Sequence, residues 1–149
     1  MKIEEVRNEA YNKVFEIMKI INKYDKNIFL DLDYIQYRIK TESGIIKKME
    51  KIGGDIFDVY DLIGVRYVFK NLNTSKTLMD AILNDSCFYD IEIRDYSENG
   101  HPDDPDYKAI HLRTKFEEYP CEIEIMDTKM SEHVVMTHND YKNGLLKKQ

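Results

Sequence analysis

At 149 residues, 42% hydrophobic and 34% charged, the chain has the balance of a single soluble globular domain large enough to bury a core. That composition excludes a disordered chain, and no apolar run approaches the ~18 residues of a membrane span. A net charge of −6 disfavours a broad nucleic-acid surface, and the two cysteines, Cys87 and Cys121, lack metal-ligand spacing and read as reduced, small apolar residues.

The opening Met1-Lys2-Ile3-Glu4-Glu5 carries no apolar core of a signal peptide, so a cytoplasmic protein is expected. Residues 2–24 predict an amphipathic helix, with Ile3, Val6, Ala10, Val14, Ile17 and Ile21 at helical spacing. A turn-rich connection over 25–33 follows, in which Asp31 and Asp33 read as a solvated loop. Residues 34–40 alternate as a strand: Ile35, Tyr37 and Ile39 face one way, Gln36, Arg38 and Lys40 the other. Thr41 or Ser43 then caps a helix over 43–52 that Gly53-Gly54 ends. Gly44 and Lys48 share a face of it. A strand delivering Arg38 and Lys40 to a helix start makes a plausible phosphate site, because free amide N–H groups add to the two cations.

Tyr60-Asp61-Leu62-Ile63-Gly64-Val65-Arg66-Tyr67-Val68-Phe69 is the centre of the chain. Ile63 to Phe69 has the length and composition of a buried strand. Asp61 falls at its edge, Gly64 permits close approach, and Arg66 projects from a strand so apolar that it needs an anion to meet. Taken alone, Asp61 and Arg66 read as a structural pair. Beyond them, 74–84 predicts a helix opened by Thr74 or Ser75. Residues 88–96 predict a strand with Phe88, Asp90, Glu92 and Arg94 on one face. Residues 97–106 form an acidic loop in which His101 reads as solvated. Residues 107–116 predict a strand with Tyr107, Ala109, His111 and Arg113 on one face. After a turn at 117–120, a strand from Cys121 to Met126 sets Glu122 and Glu124 opposite Ile123 and Ile125. A last helix covers 128–142, with Met126, Met130 and Met136 as packing residues, His133 on its surface and His138 as a hydrogen-bonding core residue.

These elements predict an α+β domain over 1–149, with a mixed, partly antiparallel central sheet flanked by helices. Asp61 and Glu122, on neighbouring strands, can converge on a metal, while Arg38, Lys40, Lys48, Arg66 and His111 can surround a polyphosphate. Phosphoryl or pyrophosphoryl transfer needs that combination.

At these positions the sequence resembles the RelA/SpoT-type (p)ppGpp synthetase domain, and most closely its single-domain members, the small alarmone synthetases. Arg38-Ile39-Lys40 with Ile45-Ile46 and Lys48 is similar to the family's ATP-binding strand and helix. Tyr60 to Arg66 matches its Asp-x-x-Gly-x-Arg segment, and Tyr107-Lys108-Ala109-Ile110-His111 resembles its Gly-Tyr-Arg-Ser-Leu-His motif. Glu122-Ile123-Glu124-Ile125 resembles Glu-Ile-Gln-Ile, and His138 to Lys142 resembles a His-x-x-Tyr-Lys ending. The resemblance implies a nucleotidyltransferase-like fold and a GTP pyrophosphokinase-like transfer of pyrophosphate from ATP to a nucleotide 3′-hydroxyl. Asp61 and Glu122 would hold Mg2+, with Glu122 also receiving the hydroxyl proton. Arg38, Lys40, Lys48 and Arg66 would bind ATP. Tyr107 would stack on the acceptor base, His111 would contact phosphate, and Glu124 would lie on the acceptor side. GDP or GTP is the favoured acceptor, and a homo-oligomer is compatible with the resemblance.

The departures cluster on the acceptor side. Gly44 replaces a serine. Asp103-Asp104-Pro105-Asp106 replaces Lys-Pro-Asn and the motif glycine, Glu124 replaces the motif glutamine, and Met126-Asp127 replaces Arg-Thr. The expectation is a retained donor site and a diverged acceptor site. Two alternatives stand beside the alarmone synthetase. One is a toxin-like relative that modifies adenine nucleotides or a tRNA 3′ end, helped by a small basic tail at Lys142, Lys147 and Lys148. The other is a non-catalytic nucleotide-binding regulatory module.

Overall fold

A computed structural model describes residues 2–72 and 75–137. Thr74, His138, Tyr141, Lys142, Lys147 and Lys148 lie outside the described residues. The elements in chain order are α1 (Ile3–Ile21), β1 (Leu32–Ile39), α2 (Glu42–Ile52), β2 (Ile63–Phe69), α3 (Ser75–Leu83), β3 (Phe88–Asp95), β4 (Ile110–Phe116), β5 (Tyr119–Asp127) and α4 (Thr128–Thr137). The strands form one five-stranded sheet of order β1-β2-β5-β4-β3. β2 and β5 run parallel, and every other neighbouring pair is antiparallel. The expected α+β architecture with a mixed sheet is therefore present.

One face of the sheet is apolar. Ile63, Val65, Tyr67 and Phe69 of β2 join Cys121, Ile123 and Ile125 of β5 and Ile110 and Leu112 of β4 in the core. The apolar stripe of α1 (Val6, Ala10, Val14, Ile17 and Ile21) packs there, with Leu78 and Ile82 of α3. Alternation then turns the residues in between to the opposite face, where the polar groups gather.

Capping chemistry fixes where α2 begins and ends. Thr41 accepts from the Gly44 amide at 3.1 Å, and Gly53 closes the helix at a left-handed φ of 68°. The Lys40 amide bonds the Leu62 carbonyl at 2.9 Å, which carries the β1–β2 pairing one step past the strands. Arg7 of α1 donates to the Lys40 carbonyl at 2.8 Å. Helix α1 thus steadies the point where the cationic strand enters α2.

The structure corrects several expectations. In β3, Asp90 has a φ of 52° and the register shifts between Tyr89 and Glu92. Phe88 therefore pairs with Phe116 on the core face, while Glu92 and Arg94 point to the polar face with Arg113 and His111. β4 starts at Ile110, so Tyr107 belongs to the preceding loop. Cys121 is buried, and burial pushes its thiol up to about 12, whereas Cys87 is exposed. Asp33 accepts from Thr128 at 2.8 Å and ties β1 to the start of α4. His101 is half-buried against the Tyr96 ring, 4.8 Å between centroids, rather than solvated. Among the described residues, no helix is long and apolar enough to cross a membrane.

Tyr24, just past α1, donates to Asp85 at 2.6 Å and ties the end of α1 to the turn before β3. Partial burial alone would raise the Asp85 carboxyl, but the Tyr24 hydroxyl and the Cys87 amide hold it below its ordinary 3.8. A depressed acid contributes stability above its unfolded value and loses it as pH falls. Tyr24→Phe should therefore cost about 1 kcal/mol at neutral pH. That deficit should shrink below pH ~3.8, which urea melts of both proteins at pH 7 and pH 3 would measure.

Candidate active site on the polar sheet face

Register places the polar side chains in two rows that cross all five strands. The first row runs Arg38, Gly64, Glu122, Arg113, Glu92. The second runs Gln36, Arg66, Glu124, His111, Arg94. Gly64 contributes no side chain, so the first row is bare between Arg38 and Glu122. Asp61 lies just before β2, beside the Arg38 end of that row.

Each acid in the two central rows meets a cation. Asp61 Oδ2 accepts from Lys40 Nζ at 2.9 Å and from Arg38 at 3.1 Å. Glu122 Oε2 accepts from Arg113 Nε at 3.2 Å, with His111 Nδ1 at 3.6 Å. Glu124 Oε1 accepts from Arg66 Nε at 3.0 Å, and Arg66 also donates to Gln36 Oε1 at 3.1 Å. The anion that Arg66 meets is thus the chain's own Glu124. Both are about 95% buried, and Gln36 is fully buried beside them.

Burial by itself would raise Glu122, but the hydrogen bond and charge of His111, together with Arg113, outweigh it and hold the carboxyl at about 2. Burial would likewise lower His111, yet Glu122 and Glu124 raise it above its ordinary 6.5. Glu122 is therefore ionised at any neutral pH, and it is a weak base while Arg113 and His111 stay on it.

The structure brings together most of the residues singled out in the sequence. Arg38, Lys40 and Asp61 form one cluster. Glu122, Glu124 and His111 form another, with their ligating atoms within 4.8 Å of one another. Lys48 reaches the Tyr60 hydroxyl at 3.2 Å and stands over its ring at 4.4 Å. Tyr107 bonds His111 Nε2 at 2.7 Å. Tyr107, His111, Tyr96 and His101 make one aromatic group, with neighbouring centroids 4.8 to 6.5 Å apart.

The departures from the motifs have structural roles. Met126 packs with Val68, Ala109 and Val134 in a second apolar cluster at the α4 end of the polar face. Asp127 accepts from the Met130 amide at 2.8 Å and so caps α4. Gln36, Tyr60, His101 and Arg113 are site neighbours that carried no role in the sequence reading. Arg113 had a signal, since it alternates with His111 along the strand, and Tyr60 adjoins Asp61. The position of His101 depends on a loop closure at His101–Asp104 that no spacing announces.

A divalent cation fits this donor set on one structural ground. Asp61 Oδ1 is buried and has no hydrogen-bond partner among the described residues. A lone pair so placed is costly unless a cation takes it up, and carboxylate oxygens are the ligands magnesium prefers.

A sheet of this fold is already seen in solved structures, among them small alarmone synthetases. Small alarmone synthetase 1 from Bacillus subtilis, bound to its product pppGpp, superposes with a TM-score of 0.72 at 17% identity, covering 90% of this chain and 77% of that one. Small alarmone synthetase 2 from the same organism gives 0.74 at 18% identity, covering 93% and 77%. A GTP pyrophosphokinase family protein from Streptococcus pneumoniae gives 0.73 at 18%, also covering 93% and 77%. At such identities the likeness is one of fold. No curated protein matches significantly. Residues 37–145 match the family described as "Region found in RelA / SpoT proteins", and the chain belongs to the RelA/SpoT family.

Proposed function

We propose that the chain is a GTP pyrophosphokinase-like transferase, moving the β,γ-pyrophosphoryl group of ATP to the 3′-hydroxyl of a nucleotide. GDP or GTP is the favoured acceptor and a (p)ppGpp-type alarmone the product. The observation that carries this reading is the first row of the polar face. It sets Arg38 with Lys40 and Asp61 at one side of bare Gly64, and Glu122 at the other. In the transfer, the acceptor oxygen bonds the β-phosphorus, the bridging bond to the α-phosphate breaks, and AMP leaves. Magnesium, when bound, would neutralise charge on the phosphate oxygens. Asp61 and Glu122 are the residues that would hold it. Arg38, Lys40 and Lys48 bind the polyphosphate, and Arg66 completes the donor side. Tyr107 and His111 position the acceptor next to Glu124, and Glu122 takes its proton.

A second reading has its own support. Asp103, Asp104 and Asp106 fill the loop that carries His101 to the Tyr107 ring. Such a loop repels a 5′-di- or triphosphate of any base and suits an acceptor without one, such as a tRNA 3′ end; adenine nucleotides are the other acceptor of this reading. Incubation with Mg2+ and ATP labelled at the β-phosphate, against GDP, GTP, ADP, ATP and tRNA, separates the readings. Label on GDP or GTP is the expected result. Label confined to adenine nucleotides or tRNA establishes the second reading. ATP binding with no transfer would leave a nucleotide-binding regulatory module.

A further inference from the structure

The Tyr60 ring gathers two cations. The Arg113 guanidinium carbon lies 3.7 Å from its centroid, and Lys48 Nζ lies at 4.4 Å. Stacking of this kind holds a guanidinium in a fixed plane while leaving its edge free for hydrogen bonds. Arg113 uses Nε on Glu122 at 3.2 Å. Its two terminal amino groups make no hydrogen bond among the described residues, and Lys48 donates there only to the Tyr60 hydroxyl. Neither group carries the marks of a closed structural pair, since several strong donors remain unspent.

Arg113 and the Tyr60 ring border a cavity, and Lys48 reaches it only through that ring. Tyr60, Arg113 and Lys115 line a pocket of about 290 Å³, together with Asp58, Asp90 and Glu92. Two of its acids are already engaged: Asp58 accepts from the Asp55 amide at 2.9 Å and Glu92 from Arg94 at 2.7 Å. An anion would seat at the Arg113–Lys115 end, and the mixed lining suits a magnesium-bound polyphosphate better than a bare one. Through Arg113, the pocket adjoins Glu122, and through Tyr60 it adjoins Asp61.

We propose that Arg113, stacked on Tyr60, is a further polyphosphate-binding residue of the donor site. Its Nε holds Glu122 while its terminal amino groups, with Lys48 and Lys115 alongside, receive the pyrophosphoryl group being transferred. The assignment rests on the pyrophosphotransferase reading above and adds a residue that spans both sides of the reaction. One guanidinium would then register the Glu122 carboxylate against the group being transferred. Tyr60 acts through Arg113 and is a positioning residue.

The test is calorimetric titration of the full chain, in Mg2+, with α,β-methylene ATP, with inorganic pyrophosphate and with AMP. Arg113→Ala should weaken the methylene analogue and pyrophosphate at least about tenfold, the scale of a lost charge-assisted hydrogen bond, and leave AMP unchanged. Tyr60→Leu should shift the same two ligands in the same direction, which a mere loss of stability would not sort by ligand. Wild-type binding with both variants within twofold overturns the role of Arg113 and leaves the pyrophosphotransferase reading standing. Wild-type protein that binds neither polyphosphate overturns both. Should Arg113→Ala fail to fold, Arg113→Lys decides by the same threshold, since lysine keeps the charge near Glu122 but not the stacked planar fork.

Discussion

Asp61→Asn is expected to lower pyrophosphoryl transfer about a thousandfold while the protein still folds. The side chain keeps its size, and its remaining oxygen can still accept from Lys40 or Arg38, which now bond the same Oδ2. What changes is the buried Oδ1, the atom with no partner among the described residues. An amide brings no negative charge for a divalent cation, and losing about 4 kcal/mol of metal-derived stabilisation corresponds to that factor in rate. Transfer of label from ATP, read beside a thermal melt, makes the measurement. A folded Asp61→Asn protein with near-wild-type transfer would remove Asp61 from the metal assignment.

Arg66→Ala should produce the largest loss of stability of any single change in the site. Arg66 bonds both Glu124 and Gln36 inside the sheet, and its removal leaves the Glu124 carboxylate buried with His111, 4.0 Å away, as its one remaining counter-charge among the described residues. Stranding one member of a buried pair costs about 3–5 kcal/mol. For a domain of this size that is a fall in Tm of roughly 10 °C. Replacing both partners, as Arg66→Met with Glu124→Leu, should recover most of the loss, because no charge is then left buried. Thermal melts of the single and double variants make the comparison. If the double variant folds well yet no longer binds α,β-methylene ATP, Arg66 serves the donor site as well as the sheet. Unchanged binding would confine it to structure.

Much of this architecture could be read from alternation. The period-2 patterns of residues 34–40 and 121–126 put Gln36 with Arg38 and Glu122 with Glu124, and the apolar run of 63–69 marked the buried strand. The expected neighbourhood of the Asp61 and Glu122 strands is present, since β2 pairs with β5, but the full strand order was not legible, because pairing across some fifty residues leaves no local signature. The phase of β3 was misread for a definite reason. An aspartate at a left-handed φ inserts a bulge, and aspartate tolerates that conformation without the glycine that would advertise it. Arg66 needs an anion on the sequence alone, and the internal Glu124 carboxylate supplies one. The partners of Arg113 and Tyr60 could not be seen, since a ring and a guanidinium more than fifty positions apart meet only once β2, β5 and β4 are in register.

The two polar rows have a consequence for how the proposed activity would arise. Sliding β5 by one residue against its neighbours would exchange Cys121, Ile123 and Ile125 for Glu122 and Glu124 on the apolar side. Carboxylates would enter the core, and their cationic partners would be left facing methyl groups. A misaligned chain therefore lacks both a stable interior and the proposed reaction centre. Competence to transfer would be acquired in the same step as correct strand alignment, and recovery of activity after refolding should track the fraction of molecules that have found it.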